Sequence, residues 1–454
     1  MQQAVDCVVE WADSVGFKIS PKKSNLMHVC FDHTHRPALP PVSIGEHAVK
    51  AVREMKLLGL LIDNKLTFIK HAKQVKEKLN TKTCSGAFKT SPVASLLVEC
   101  GRLPLVHLVA EDLATKAARA LERDHLAGGM PVVQLASSQW HDLTSTNLPS
   151  LVTRPRLWQR AWDADVPKID WRMREKCGAG ANPAVAQATV TEVAASYADR
   201  PQYFTDGSLV QEEVGYGVSG EAISRCGRLP GLCGIFSAEA YALLQACRHA
   251  NGSQAVVFSD SASCLSALDH GKVGHPWLIE VQQYTNITFV WVPGHAGIPG
   301  NEAADVLANQ GRHAPQEESS VPLCDVTRWI KRTSRETWDS AWYHNRDAFI
   351  RRIKNDTQEW RDVPNSRDQK ILTRLRIGHT RLTHGSRFGG NTAYCQGCGQ
   401  ILDVTHILVD CPARELLRAE HGVRGSILEV LVNDRNAEKG VIKLIRALGL
   451  YDAI

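Results

Sequence analysis

Four carboxylates, Asp206, Glu239, Asp260 and Asp305, carry the chemistry open to this sequence, because each falls where a regular element would hold it. Asp206 closes the β-rich run Tyr203-Phe204-Thr205-Asp206 ahead of Gly207, and Glu239 opens a helical stretch over residues 238–246. Asp260 ends the apolar run Ala255-Val256-Val257-Phe258-Ser259, which reads as a buried strand. Asp305 belongs to an Ala-rich helix start, Gly300-Asn301-Glu302-Ala303-Ala304-Asp305, after a loop of Pro and Gly. Carboxylates gathered from four elements can sit together only around a cation. Oxygen donors without His or Cys call for hard ions, Mg²⁺ or Mn²⁺, rather than zinc. Two such ions about 3.5–4 Å apart would clamp the attacking water and the leaving 3′ oxygen of a phosphodiester. His295 lies in the Gly- and Pro-rich run Trp291-Val292-Pro293-Gly294-His295-Ala296-Gly297. A loop of that composition would let an imidazole approach and shuttle a proton near neutral pH.

In order, the strings FTDGS (204–208), SAEAYALLQA (237–246), VVFSDSASCLSAL (256–268) and WVPGHAGIPGNEAADVLAN (291–309) make residues 201–313 resemble the type 1 ribonuclease H domain. The likeness is to the version fused to reverse transcriptases of non-LTR retrotransposons. It implies an α/β fold, a mixed five-stranded sheet flanked by helices. It implies two Mg²⁺ (or Mn²⁺), with Asp206 bridging both, Glu239 and Asp260 completing one site and Asp305 the other. His295 would assist turnover. The implied activity is endonucleolytic cleavage of RNA in an RNA–DNA hybrid, leaving a 5′-phosphate and a 3′-hydroxyl. Hybrid would be read by groove shape and 2′-hydroxyls. The stretch between Asp260 and Asp305 has no Lys/Trp-rich insertion to grip hybrid. Ser208 is either a donor to phosphate or 2′-hydroxyl, or a turn-stabilising Ser after Gly207. Asn301 is either a helix N-cap or part of a phosphate contact at that helix start.

The 454 residues are too many for one core and point to about three domains; a net charge of +5 fits nucleic acid without requiring it. Thirteen Cys, with neither a basic start nor an apolar segment at the N-terminus, exclude a secreted disulfide framework. Cys226, Cys233, Cys247 and Cys264 lack ligand spacing and read as small apolar side chains. No long uncharged apolar stretch is present, so no membrane partner is expected. An intracellular location follows, with nucleus and cytoplasm both open.

Residues 1–145 resemble the end of a reverse-transcriptase palm and its connecting segment. The resemblance rests on GFKISPKKSNLMHV (16–29), KLLGLLIDNKLTF (56–68) and SGAFKTSPVASLLVECG (85–101). A strand over Leu26–Phe31, an apolar strand pair near 56–63 and helices over 102–145 are expected. The region from Leu79 to Ser85 reads as shorter than the family's thumb. No polymerase carboxylate motif is present, so DNA synthesis by this chain is not expected. Lys18, Lys22 and Lys23 read as a solvated loop or a nucleic-acid contact. Residues 146–200, with Gly178–Pro183, read as a linker. A basic helical tail over 325–425 and a helical segment over 426–454 follow. Within the tail, Cys395, Cys398, His406 and Cys411 form C-x₂-C-x₇-H-x₄-C, which suits a structural, tetrahedral Zn²⁺. Arg374, Arg376, Arg381 and Arg387 precede it and could meet phosphate, including retrotransposon RNA. A catalytically silent nucleic-acid-binding relic and a zinc-dependent adaptor are the alternative readings.

Overall fold

Two apolar runs, Ala255–Ser259 and Ile287–Trp291, are buried at every position, as expected of central strands covered on both faces. In the computed structural model they lie in the middle of a six-stranded sheet. The structure describes all residues except 30–40, 58–59, 65–69, 71–90, 156–166, 179–181, 272, 361–364 and 385–392. Outside the described residues fall the end of the Leu26–Phe31 strand, the turn of the apolar pair, the stretch from Leu79 to Ser85, the centre of Gly178–Pro183, and Arg387. The chain divides into one unit over Ala114–Thr333 and another formed by Met1–Leu113 with Ser334–Ile454.

The strands of the first unit are β1 (Lys168–Asp170), β2 (Gln202–Val210), β3 (Glu213–Gly220), β4 (Ile223–Leu229), β5 (Ala255–Ser259) and β6 (Ile287–Trp291). Their order is β4-β3-β2-β5-β6-β1. The meander β2-β3-β4 is antiparallel, while β2, β5, β6 and β1 run parallel. The helices are α1 (Arg172–Cys177), α2 (Pro183–Ala195), α3 (Ile235–Ala250), α4 (Ala262–Asp269), α5 (Pro276–Val281) and α6 (Pro299–Gly311). Helix α3 packs on β2 and β3, and α6 lies over β2, β3 and β4. Gly217 leaves room for that approach, since a Cβ there would sit 2.3 Å from the Ala304 carbonyl oxygen.

Three expectations are corrected here. The sheet has six strands rather than five, because β1 pairs with β6 through Thr288–Lys168, Phe289–Ile169 and Val290–Asp170. The stretch expected to be a linker therefore holds β1, α1 and α2. A three-residue strand is too short to show a period, and the buried face of α2 is built from small residues, Ala186, Thr189, Val190 and Val193. The segment after α6 bridges to Arg228 through Gln316 and to Leu151 through Val321. Nor does a separate tail begin at Asp325. Asp325 is 1 % exposed and accepts the Ser237 hydroxyl from the first turn of α3. With that proton committed, His275 Nε2 donates to Ser237 Oγ at 2.9 Å, and burial holds the imidazole neutral by pushing its pKa down to about 4.

In the second unit Gln2–Ser14 forms a helix, and the antiparallel pair Glu54–Leu57 with Leu60–Asp63 matches the expected strand pair. Trp338 and Trp342 pack inward against Val98, Leu103, Ile350 and Ile377. Glu99, on the helix Val93–Glu99, faces buried Arg376 at 3.5 Å, and Arg376 also meets Glu438 at 3.0 Å. Residues near 99, 376 and 438 thus share one core, in place of the expected boundaries at 145 and 425. Among the described residues no helix is long and apolar enough to cross a membrane.

Asp170 tests the correction at β1. It accepts from Arg172 Nη2 at 2.7 Å and Tyr197 Oη at 2.8 Å while 8 % exposed. Burial alone would raise its pKa, but the Arg172 and Tyr197 hydrogen bonds outweigh it and hold the carboxyl below the ordinary 3.8. Asp170→Ala is expected to lose about 2–4 kcal/mol in urea unfolding at pH 7. A depressed pKa stabilises above the unfolded value, so the difference from the parent shrinks as pH falls below about 4. A loss within 0.5 kcal/mol at pH 7, roughly a surface effect, would count against β1 as part of the fold.

Candidate active site and a metal-ligand cluster

Strand register brings the first two carboxylates together. Phe258 pairs with Phe204 and Ser259 with Thr205 in the parallel β2–β5 ladder, so Asp260 and Asp206 come next, side by side. The Phe204 and Phe258 rings stack beneath them at 4.7 Å. Asp206 is not at a strand tip as expected: β2 runs on to Val210, and Asp206 pairs with Gly217 of β3. Its strand pairs antiparallel with β3 on one side and parallel with β5 on the other. Glu239 arrives from the second turn of α3. Gly207 permits this, since a Cβ there would lie 2.8 Å from the Glu239 backbone nitrogen and 2.9 Å from Ala238 Cβ.

Carboxylate oxygens of Asp206, Glu239 and Asp260 all lie within 4.8 Å of one another. Asp305, from α6, lies near enough to Asp206 for its charge to raise the Asp206 carboxyl. A second group joins His295, Glu302 and Asp305 within the same 4.8 Å. All five expected catalytic residues are therefore brought to one place. Burial, then the Asp260 and Asp305 charges, pushes the Asp206 carboxyl up to about 8. Burial, then Asp206 and Asp260, raises Glu239 well above the carboxylate range. Asp260 is raised by burial, with opposition from Asn301 and His295. Buried Glu239 Oε2 has no hydrogen-bond partner among the described residues. Clustered, mutually repelling oxygen donors, one with a vacant lone pair, fit a hard divalent cation.

Around them stand residues that spacing on α6 could have revealed. Asn309, one turn after Asp305, donates to Asp305 Oδ1 at 2.9 Å. Glu302, three before Asp305, lies on the same face. Asn301 is not the N-cap, which is Ile298; it is buried and donates to Asp260 Oδ2 at 3.5 Å. Ser208 is mid-strand and buried rather than in a turn, its hydroxyl given to Asn309 Oδ1 at 3.0 Å. His295 is exposed, with φ +51°, in a turn.

The RNase H family model matches residues 200–313. Residues 200–313 are an RNase H domain. The "Probable RNA-directed DNA polymerase from transposon X-element" of Drosophila melanogaster is 40 % identical over 73 residues, 16 % of this chain and 8 % of that protein. The chain thus matches less than a tenth of that relative's length. RNase H1 from the halophilic archaeon Halobacterium salinarum NRC-1 is a structural neighbour at 20 % identity and TM-score 0.20, covering 25 % of this chain and 96 % of that one.

In the other unit, Cys395, Cys398, His406 and Cys411 gather their donor atoms within 4.8 Å. Cys395 Sγ is 3.7 Å and Cys398 Sγ 3.9 Å from Cys411 Sγ, too far for a disulfide. Zinc–sulfur bonds of about 2.3 Å in a tetrahedron place sulfurs about 3.8 Å apart, so the set fits zinc. His406 lies 3.3 Å from Cys398 Sγ, and the His406 hydrogen bond brings the Cys395 thiol down to about 6. The arginines upstream divide. Arg376 is fully buried and spends its guanidinium on Glu99, Glu438 and the Leu431 carbonyl, so it is no phosphate contact. Arg374 is half-buried on the Ile454 carbonyl at 2.7 Å, whereas Arg381 is exposed.

Asp206, with an ordinary value of 3.8 and a folded value of about 8, favours the native state when protonated. That stability is present below about pH 4 and lost as pH rises toward 8. Metal-free protein is expected to melt at falling temperature from pH 5 to 8. Asp206→Asn should flatten the slope and melt higher at pH 8 by on the order of 2–4 °C, and Mg²⁺ should restore the parent. An equal slope in parent and variant, by scanning calorimetry, would rule out this coupling. For the cysteine cluster, elemental analysis should find one zinc per chain, and Cys398→Ser should weaken retention on the order of 100-fold or more. Zinc-free protein of unchanged stability would exclude a structural metal.

Proposed function

We propose that this chain hydrolyses the RNA strand of RNA–DNA hybrids by a two-metal-ion mechanism, as part of a retrotransposon-derived protein. The observation that carries the reading is the convergence of Asp206, Glu239 and Asp260 within 4.8 Å in an RNase H domain, with the Asp305 charge near enough to raise Asp206. Asp206, Glu239, Asp260 and Asp305 would hold the pair of Mg²⁺ ions. Bound there, the ions would supply a hydroxide nucleophile and neutralise charge on the leaving 3′ oxygen. Asn301 and Asn309 fix the orientation of Asp260 and Asp305, and so fix where a scissile phosphate must sit. His295, exposed beside Glu302 and Asp305, is placed to take or give a proton at the edge of the cluster. The similarity to a transposon polymerase supports the retrotransposon context. The Cys395, Cys398, His406 and Cys411 set would hold one structural Zn²⁺, and Arg381, exposed among the described residues, could meet a nucleic-acid backbone.

A labelled-hybrid assay with Mg²⁺, beside single-stranded RNA and duplex DNA, tests the reading. Hybrid should be cut to 5′-phosphate products and the controls left intact. Asp206→Asn is expected to slow cleavage by on the order of 10³-fold while hybrid binding is retained, and His295→Ala by about 10²-fold. Binding without Mg²⁺-dependent cleavage in the parent chain would favour a silent nucleic-acid-binding relic instead.

A further inference from the structure

We propose that Gln187, on α2 and outside the segment matched to the RNase H family, is a positioning residue for His295; the proposal rests on the hydrolytic reading above. The turn after β6 is anchored at both ends, by Val292 at 0 % and Ile298 at 1 % exposure, and at Ala296 by burial. Between these anchors His295 points outward with φ +51°, and Gly297 has φ +69°. Fixed ends do not fix the backbone between them; two hydrogen bonds to Gly297 do. Its N–H donates to Glu302 Oε1 at 3.1 Å, tying the turn to α6, the helix that carries Asp305. Its carbonyl accepts from Gln187 Nε2 at 2.7 Å, tying the turn to α2. The approach is close: a Cβ on Gly297 would sit 2.6 Å from Gln187 Nε2.

Helix α2 is able to act as a fixed post. Asn182 caps it by accepting from Ala184 N at 2.9 Å. Ala186, next to Gln187, is 0 % exposed, and Val190 and Val193 are buried along the same face. A Gln at this point therefore reaches the turn from a packed helix while its own side chain lies in solvent. The peptide two positions after His295 is held from opposite sides, by Glu302 accepting and by Gln187 donating. Removing the donor leaves one clamp. Proton transfer needs heavy atoms within about 2.6–3.2 Å, so a looser turn places the imidazole correctly for a smaller fraction of the time. Substrate contacts elsewhere are untouched. The effect thus falls on kcat and not on KM. A net hydrogen bond in solvent contributes modestly, which corresponds to a change of about three- to ten-fold.

The experiment uses the full chain and three substitutions that separate donor from bulk. Gln187→Ala removes the side chain. Gln187→Glu keeps the size but has no N–H to give, and Gln187→Lys restores a donor. The Ala and Glu variants should lose about three- to ten-fold in kcat on hybrid, with KM within about two-fold, and the Lys variant should recover most of the loss. Independently of catalysis, hydrogen–deuterium exchange of metal-free protein should speed up across residues 292–298 in the Ala and Glu variants and return toward the parent with Lys. Parental kcat and parental exchange in the Glu variant would overturn the proposal. So would a loss that appears in KM, or one that Lys does not relieve. A parent chain that cuts no hybrid would sink the functional reading and this proposal together, whereas an active parent with indifferent Gln187 variants would sink this proposal alone.

Discussion

Carboxylates crowded out of water repel one another and resist ionisation, and the RNase H domain is organised around holding them there regardless. Asp206 and Asp260 are adjacent because two parallel strands share a register. Glu239 closes on them because Gly207 has no side chain. Asp305 completes the group from a helix that lies against β2 and β3. Each of these placements raises the proton affinity of its neighbours, and Asp206 shows it most plainly at about 8. A fold that tolerates this arrangement sacrifices some stability at neutral pH in the metal-free state, and a bound cation reverses the sign of that contribution.

The same constraint accounts for the supporting residues. Asn301 and Asn309 each donate to one of the clustered carboxylates, and Ser208 fixes Asn309 in turn. These groups hold the clustered carboxylates in place. The opposite solution appears in the second unit, where Arg376 is buried between Glu99 and Glu438. There a fixed cation of the chain itself faces both acids, so the cluster is structural and links segments far apart in the sequence. Even so, burial keeps Glu99 raised to about 7, a sign of how costly desolvation is when charges are enclosed.

The strands and helices of the domain were legible wherever an element was long and apolar, as in Ala255–Ser259 and Ile235–Ala250. Asp206, Glu239, Asp260, His295 and Asp305 could be named because they stand in motifs of fixed order. Lys168–Asp170 was not legible, since three residues carry no period and their strand character comes from pairing with β6. Arg376 was misread for a related reason. A run of arginines looks the same in sequence whether its members face water or a buried glutamate. Asn301 was misassigned because helix capping depends on where the backbone enters the helical region, here at Ile298, three positions earlier.

Residue types and their spacing determined which atoms this chain can bring to a reaction: hard oxygen donors, one mobile proton carrier, and a sulfur-rich set suited to a closed metal site. Tertiary structure alone decided which of those atoms meet, and which charged groups are spent on one another. The reason is that hydrogen bonding and desolvation act through space over a few ångströms. Gln187 and Gly297, more than a hundred positions apart, become partners at 2.7 Å only once α2 and the turn after β6 have packed.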